Sequence, residues 1–229
     1  MSGHIIEFSG NGQSYSGYLA TSIDGSGPAV IVIQEWWGLV GHIKDVADRF
    51  AQAGFTALAP DFYHGKTTTE PDEAGSLMMA LQIDDAAKVI HGAVDALLDN
   101  PAAAGDRVGV VGFCMGGQLS MYAACIDERI GACVNFYGIH PNVKPDFSKL
   151  SAPLLGFFAE HDDYASPDAV KAMDQELTRL GKEHEFTIYE GAHHAFFNSD
   201  RPQVYDAGCA GQSWEKMVEF FSTNLKGRR

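Results

Sequence analysis

Two unbroken apolar runs, Ala29-Val30-Ile31-Val32-Ile33 and Val108-Gly109-Val110-Val111-Gly112-Phe113, constrain this chain more than any other feature. Neither alternates with polar residues, so neither strand can turn a face to water, and strands covered on both sides belong inside a mostly parallel sheet. Parallel neighbours need crossovers, and helical patterns lie between the strand patterns. Residues 42–53 place Ile43, Val46, Ala47, Phe50 and Ala51 at helical spacing and stop at Gly54. Strand 55–59 follows. A glycine- and threonine-rich loop over 62–75, expected to wall or cover a site, leads to a helix over 77–98. Helix 118–125, strands 132–137 and 154–158, helix 168–180 opened by Ser166-Pro167, strand 185–189 and helix 205–225 complete the alternation. In front of it, alternating segments 4–8 and 15–20 flank Ser9-Gly10-Asn11-Gly12, which predicts an antiparallel hairpin. The expected architecture is α/β: one domain over 1–229, a mostly parallel central sheet with helices on both faces, and an antiparallel N-terminal hairpin.

The charge balance narrows the partners. The 229 residues carry 16 Lys and Arg against 30 Asp and Glu, a net −14 with His neutral. Such a field repels phosphate backbones and anionic bilayers, so neither nucleic acid nor membrane is an expected partner. No apolar run approaches the roughly 20 residues of a spanning helix. Met1-Ser2-Gly3-His4 does not begin a basic region followed by an apolar stretch, and a cytoplasmic protein is expected. Cys114, Cys125, Cys133 and Cys209 lie far apart with no Cys-x-x-Cys pair, which argues against a disulfide framework. Only His161 and His193-His194 approach a metal-ligand cluster, so no metal is expected. No motif calls for a cofactor or signals self-association.

One apolar strand ends in Gly112-Phe113-Cys114-Met115-Gly116-Gly117, a Gly-x-nucleophile-x-Gly pattern at a strand-to-helix junction. A turn that tight leaves no room for side chains two positions away from its centre, which accounts for the glycines. The helix N-terminus and its free N–H groups favour negative charge, helping both a thiolate and an oxyanion. A thiol nucleophile needs a base, and the base needs an orienting acceptor. In α/β-hydrolases an acid follows a later strand and a histidine comes in a final loop. Here Ala159-Glu160-His161-Asp162-Asp163 follows strand 154–158, and Glu190-Gly191-Ala192-His193-His194-Ala195-Phe196 follows strand 185–189. On spacing alone either aspartate and either histidine qualifies. Gln34-Glu35-Trp36-Trp37-Gly38 ends the first parallel strand, where this fold draws its second oxyanion N–H; the backbone N–H groups of Trp36 and Met115 are the candidates.

Glu35-Trp36-Trp37-Gly38, Ala59-Pro60-Asp61-Phe62-Tyr63, the Cys114 turn, Asp162-Asp163-Tyr164 and His194-Ala195-Phe196-Phe197-Asn198 together resemble the dienelactone hydrolase family, from about residue 4 to residue 225. The resemblance implies an α/β-hydrolase fold, no cofactor, and hydrolysis of a small-molecule lactone or activated ester. It also implies a triad of Cys114 as nucleophile, His194 as base and Asp162 as orienter, with Asp163 the alternative if the turn aligns one residue later. Glu35 matches a glutamate thought to interact with the resting thiol and help it ionise when substrate displaces it. Because thiolate is easily expelled, enol lactones and activated esters suit such a site and amides do not.

The chain departs from the family in its cations. Enzymes acting on dienelactone hold the substrate carboxylate with arginines, yet no arginine lies between Arg49 and Arg107. Arg201 is the remaining candidate for substrate binding, although Asn198 stands nearer to His194. A less charged ester or lactone, the substrate of a general carboxylesterase or thioesterase, is therefore the second reading, and a non-catalytic binder of small molecules the third. Tyr137 and Phe196 are expected, with Trp36, as aromatic pocket walls that touch substrate.

Overall fold

In a computed structural model describing residues 3–225, the chain forms eight strands and six α-helices. In chain order these are β1 (His4–Gly10), β2 (Gln13–Ala20), β3 (Gly27–Ile33), α1 (Gly41–Gln52), β4 (Thr56–Pro60), α2 (Pro71–Ala80), α3 (Ile83–Leu98) and β5 (Ala103–Phe113). There follow α4 (Met115–Ile126), β6 (Ile130–Phe136), β7 (Leu154–His161), α5 (Pro167–Arg179), β8 (His184–His193) and α6 (Ala207–Asn224). All strands join one sheet in the order β1-β2-β4-β3-β5-β6-β7-β8. β1 and β2 form the expected hairpin, β2 runs antiparallel to β4, and every pairing from β4 to β8 is parallel. The expected mostly parallel α/β sheet is therefore the observed one.

Alternation along the central strands divides the core in two. Val30, Val32, Val111 and Phe113 pack with α1 and α6, whereas Ala29, Ile31, Ile33, Val108 and Val110 pack with α3 and α4. Both faces are thus covered. Each Val, Ile or Phe among them removed from water contributes about 1.5–3 kcal/mol, so the runs that predicted the fold also hold it together.

The helix expected over 77–98 is two helices. Leu81 and Gln82 have extended backbone (ψ 122° and 116°) and break the pattern between α2 and α3. Asp84 and Asp85 then occupy the first turn of α3, where carboxylates favour the helix dipole. The loop over 62–75 is correspondingly shorter than expected, because Pro71 opens α2 with Asp72 and Glu73 beside it. α4 likewise starts at Met115, directly after the nucleophile candidate, not at residue 118.

Candidate active site

The parallel strands end on one side of the sheet, and the loops leaving β3, β5, β6, β7 and β8 meet there. Cys114 stands between β5 and α4 with φ +54° and ψ −119°, a left-handed conformation disfavoured for a residue with a side chain. Four backbone bonds hold it there: its N–H donates to the Phe136 carbonyl (3.0 Å), and its carbonyl accepts from Gly117, Ile139 and, at 3.4 Å, Gln118. The glycines are steric necessities. A Cβ on Gly112 would run into the Gly116 carbonyl, and one on Gly116 into the carbonyls of Ile33 and Gln34.

Asp162 follows β7 and is 3% exposed. Its Oδ1 accepts from the backbone N–H groups of Tyr164 (2.8 Å) and Ala165 (2.9 Å), which turns Oδ2 onto His194 Nδ1 at 2.8 Å. Asp163 is exposed. His193 is the last residue of β8, paired in register with His161 and pointing outward. His194 is the first residue past that strand and turns inward, where Tyr137 (5.0 Å between rings) and Tyr164 (5.2 Å) flank its imidazole. The geometry thus brings Asp162 and His194 together from the two pairs of candidates.

Nδ1 being taken, Nε2 is the nitrogen left free, and the Cys114 side chain is near enough to act on the imidazole. Burial by itself would push the His194 pKa down. The hydrogen bond that Nδ1 donates to Asp162, with the influence of the Cys114 side chain, outweighs it and lifts the value to about 10. An imidazole so placed is protonated at neutral pH.

Glu35 is 1% exposed at the end of β3. Burial raises its pKa, opposed by the Asn198 amide, by the charges of His194 and Arg201, and by Tyr137. Asn198 Nδ2 donates to Oε2 at 2.6 Å and the Tyr137 hydroxyl to Oε1 at 3.5 Å. Trp36 is half-buried and packs edge-on against Trp37 at 5.0 Å, and the Arg201 guanidinium lies 5.2 Å from the Trp37 ring. Met115 is the first residue of α4, and first-turn N–H groups have no partner within a helix.

Tyr137 and Phe196 correct the expectation of open pocket walls, since both are fully buried. Phe196 packs edge-on against Tyr137 and Tyr189 at 5.3 Å each, so it supports the Tyr137 ring that flanks His194. Tyr137 (φ +40°) holds its ring under His194 and its hydroxyl on Glu35. Three further residues belong to the arrangement. Tyr63 rests its hydroxyl on the Met115 sulfur (3.1 Å), Tyr164 is 63% exposed beside the imidazole, and Asn198 holds Glu35. The signal for Asn198 was a lone amide closing an aromatic run. Its partner stands 163 positions away, and no local pattern links the two.

A strained Cys between a central strand and a helix, with an Asp and a His delivered by later strand ends, is the arrangement of an α/β-hydrolase. A sequence profile described as the dienelactone hydrolase family matches residues 15–225. The chain belongs to that family, and it is a carboxylic ester hydrolase acting on a small molecule. It is 40% identical to "Protein usf" of Aquifex pyrophilus over 97% of this chain and 99% of that one. It is 36% identical to the "Putative carboxymethylenebutenolidase" of Aquifex aeolicus (strain VF5), covering 98% and 100% of the two chains. Among solved structures, a "Putative Dienelactone Hydrolase" from Klebsiella pneumoniae superposes with a TM-score of 0.81 at 27% identity over 97% of this chain and 99% of that one. Among the described residues no helix is long and apolar enough to cross a membrane.

Proposed function

We propose that this chain hydrolyses an enol lactone or activated carboxylic ester, of the carboxymethylenebutenolide kind, through a Cys114-His194-Asp162 triad and a thioester intermediate. The observation that carries the reading is the imidazole of His194, bound by Asp162 at Nδ1 and near enough to the strained Cys114 turn to be acted on by its side chain. The Cys114 thiolate attacks the acyl carbon, and the oxyanion is held by the backbone N–H groups of Met115 and Trp36. Collapse breaks the acyl C–O bond, and the departing enolate or alkoxide takes the proton of the His194 imidazolium. Neutral His194 then removes a proton from water as it attacks the thioester, and the thiolate returns. Asp162 fixes the tautomer throughout and stabilises the imidazolium. Glu35 is the carboxylate that assists ionisation of the thiol when substrate displaces it.

The leaving group sets the substrate. Thiolate is a better leaving group than an amine, so a tetrahedral adduct formed on an amide reverts, while an enolate departs readily. Turnover of p-nitrophenyl acetate by wild type, Cys114→Ala, His194→Ala and Cys125→Ala tests the assignment. Both triad variants lose nearly all activity and Cys125→Ala keeps it; equal turnover by all four ends the reading.

A less charged ester is the second reading, favoured by the stacking of Arg201 on Trp37 and by the neutral amide at position 198. A panel of charged and neutral lactones, read against Arg201→Ala, separates the two. Loss of turnover confined to the anionic members assigns Arg201 to substrate binding.

A further inference from the structure

Asn198 is a buried polar residue that the steps above do not use. It is 2% exposed, and its backbone closes the turn after His194, donating to the Ala195 carbonyl (2.9 Å) and accepting from Arg201 N–H (3.1 Å). Both ends of the carboxamide are occupied. Oδ1 accepts from Asp200 N–H at 3.0 Å, and Nδ2 donates to Glu35 Oε2 at 2.6 Å. An oxygen must face the Asp200 donor, so the amide cannot be reversed, and its NH2 group is directed at Glu35. Glu35 has little else to rely on. Its other oxygen meets only the 3.5 Å approach of the Tyr137 hydroxyl, while His194 and Arg201 act on it through charge. A carboxyl group taken out of water depends heavily on its one short donor.

We propose that Asn198 is a positioning residue for ester hydrolysis. By holding Glu35 it ties the loop that carries His194 to the loop that carries Trp36, so the base and the oxyanion-facing backbone keep one mutual arrangement. The bond is the tie between them: Glu35 precedes Trp36 directly, and Asn198 lies four residues past His194. The inference rests on the reading of His194, Glu35 and Trp36 given under Proposed function.

Asn198→Asp separates this role from turn closure. The aspartate keeps the volume and the oxygen that receives Asp200 N–H, but offers Glu35 an acceptor in place of a donor. Steady-state turnover of p-nitrophenyl acetate by Asn198→Asp, Asn198→Ala, Glu35→Gln and the Asn198→Ala/Glu35→Gln pair is measured below each variant's melting temperature. Both single Asn198 variants are expected to lower kcat between about tenfold and a hundredfold, the loss of a buried bond to a charged group, with little change in KM. In the Glu35→Gln background, Asn198→Ala is expected to cost less than about twofold, because its effect is already spent. Wild-type kcat in Asn198→Asp would reduce Asn198 to a turn residue. An undiminished loss in the Glu35→Gln background would show that it acts elsewhere, and a change confined to KM would make it a substrate contact; each overturns the inference. Wild-type turnover by Cys114→Ala, in contrast, would remove the underlying reading itself.

Discussion

Replacing Asp162 with Asn changes one atom and should silence the chain. The two backbone N–H bonds to Oδ1, at 2.8 and 2.9 Å, contribute about 1 kcal/mol each, so the new amide keeps its oxygen there. Its NH2 group then faces His194 Nδ1. That nitrogen must accept, the ring proton moves to Nε2, and the imidazole has no lone pair left for a proton from Cys114 or water. The carboxylate charge that helps hold His194 near 10 is lost at the same time. A wrong tautomer in an otherwise intact triad lowers kcat by about 10⁴, so a fall of about 10³–10⁴ is expected here. In barrier terms that is about 4–5.5 kcal/mol. The assay is turnover of p-nitrophenyl acetate near neutral pH, accompanied by iodoacetamide alkylation of Cys114, which should slow as the imidazolium is lost. Asp163→Asn, at the exposed neighbour, is the control and should behave as wild type. If Asp162→Asn keeps more than about a tenth of the activity, or if Asp163→Asn is equally damaging, the assignment of the acid is wrong.

Other outcomes follow from buried groups. The folded chain raises His194 from 6.5 to about 10, so the stability gained by its protonated form is complete below about 6.5 and is lost as pH rises through about 10. The melting-temperature difference between wild type and His194→Ala should accordingly shrink from pH 6 to pH 10. His42 behaves in the opposite sense: burial lowers it to about 4, and its Nε2 has no partner between Phe113 and Phe197. Protonation must be resisted between about 6.5 and about 4, so His42→Leu should remove part of the acid-induced loss of stability over that window, seen in melts against pH. Gly116→Ala should leave no folded, active protein, since its Cβ would meet the Ile33 and Gln34 carbonyls; expression in soluble form with wild-type turnover would contradict the packing described.

The architecture was readable because burial on both faces writes itself into single strands. Ala29–Ile33 needed no partner to announce its place, and the glycines around Cys114 announced a tight turn. Boundaries were less legible. The break at Leu81 and Gln82 carries neither Gly nor Pro, although Asp84 and Asp85 were a start signal for α3 that the helical pattern of 77–98 overrode. The choice of His194 over His193, and of Asp162 over Asp163, depends on where β8 and β7 end, and side-chain direction reverses with each residue. Tyr137 and Phe196 were read as walls because aromatic residues at strand ends serve packing and binding alike; only their complete burial distinguishes the two. The Asn198 to Glu35 bond joins chain segments that no local rule connects.

β8 lies at the rim of the sheet and is bonded to β7 alone, with an irregular register between Ala159 and His161. The imidazole hangs from the far tip of this outermost ribbon, while the thiol sits on a central one. Fraying of a rim costs far less than melting of an interior, so the His194 tip should give way at a lower temperature than the Cys114 turn. Warming should therefore extinguish turnover several degrees before ellipticity is lost, and cooling should restore it without any refolding of the centre.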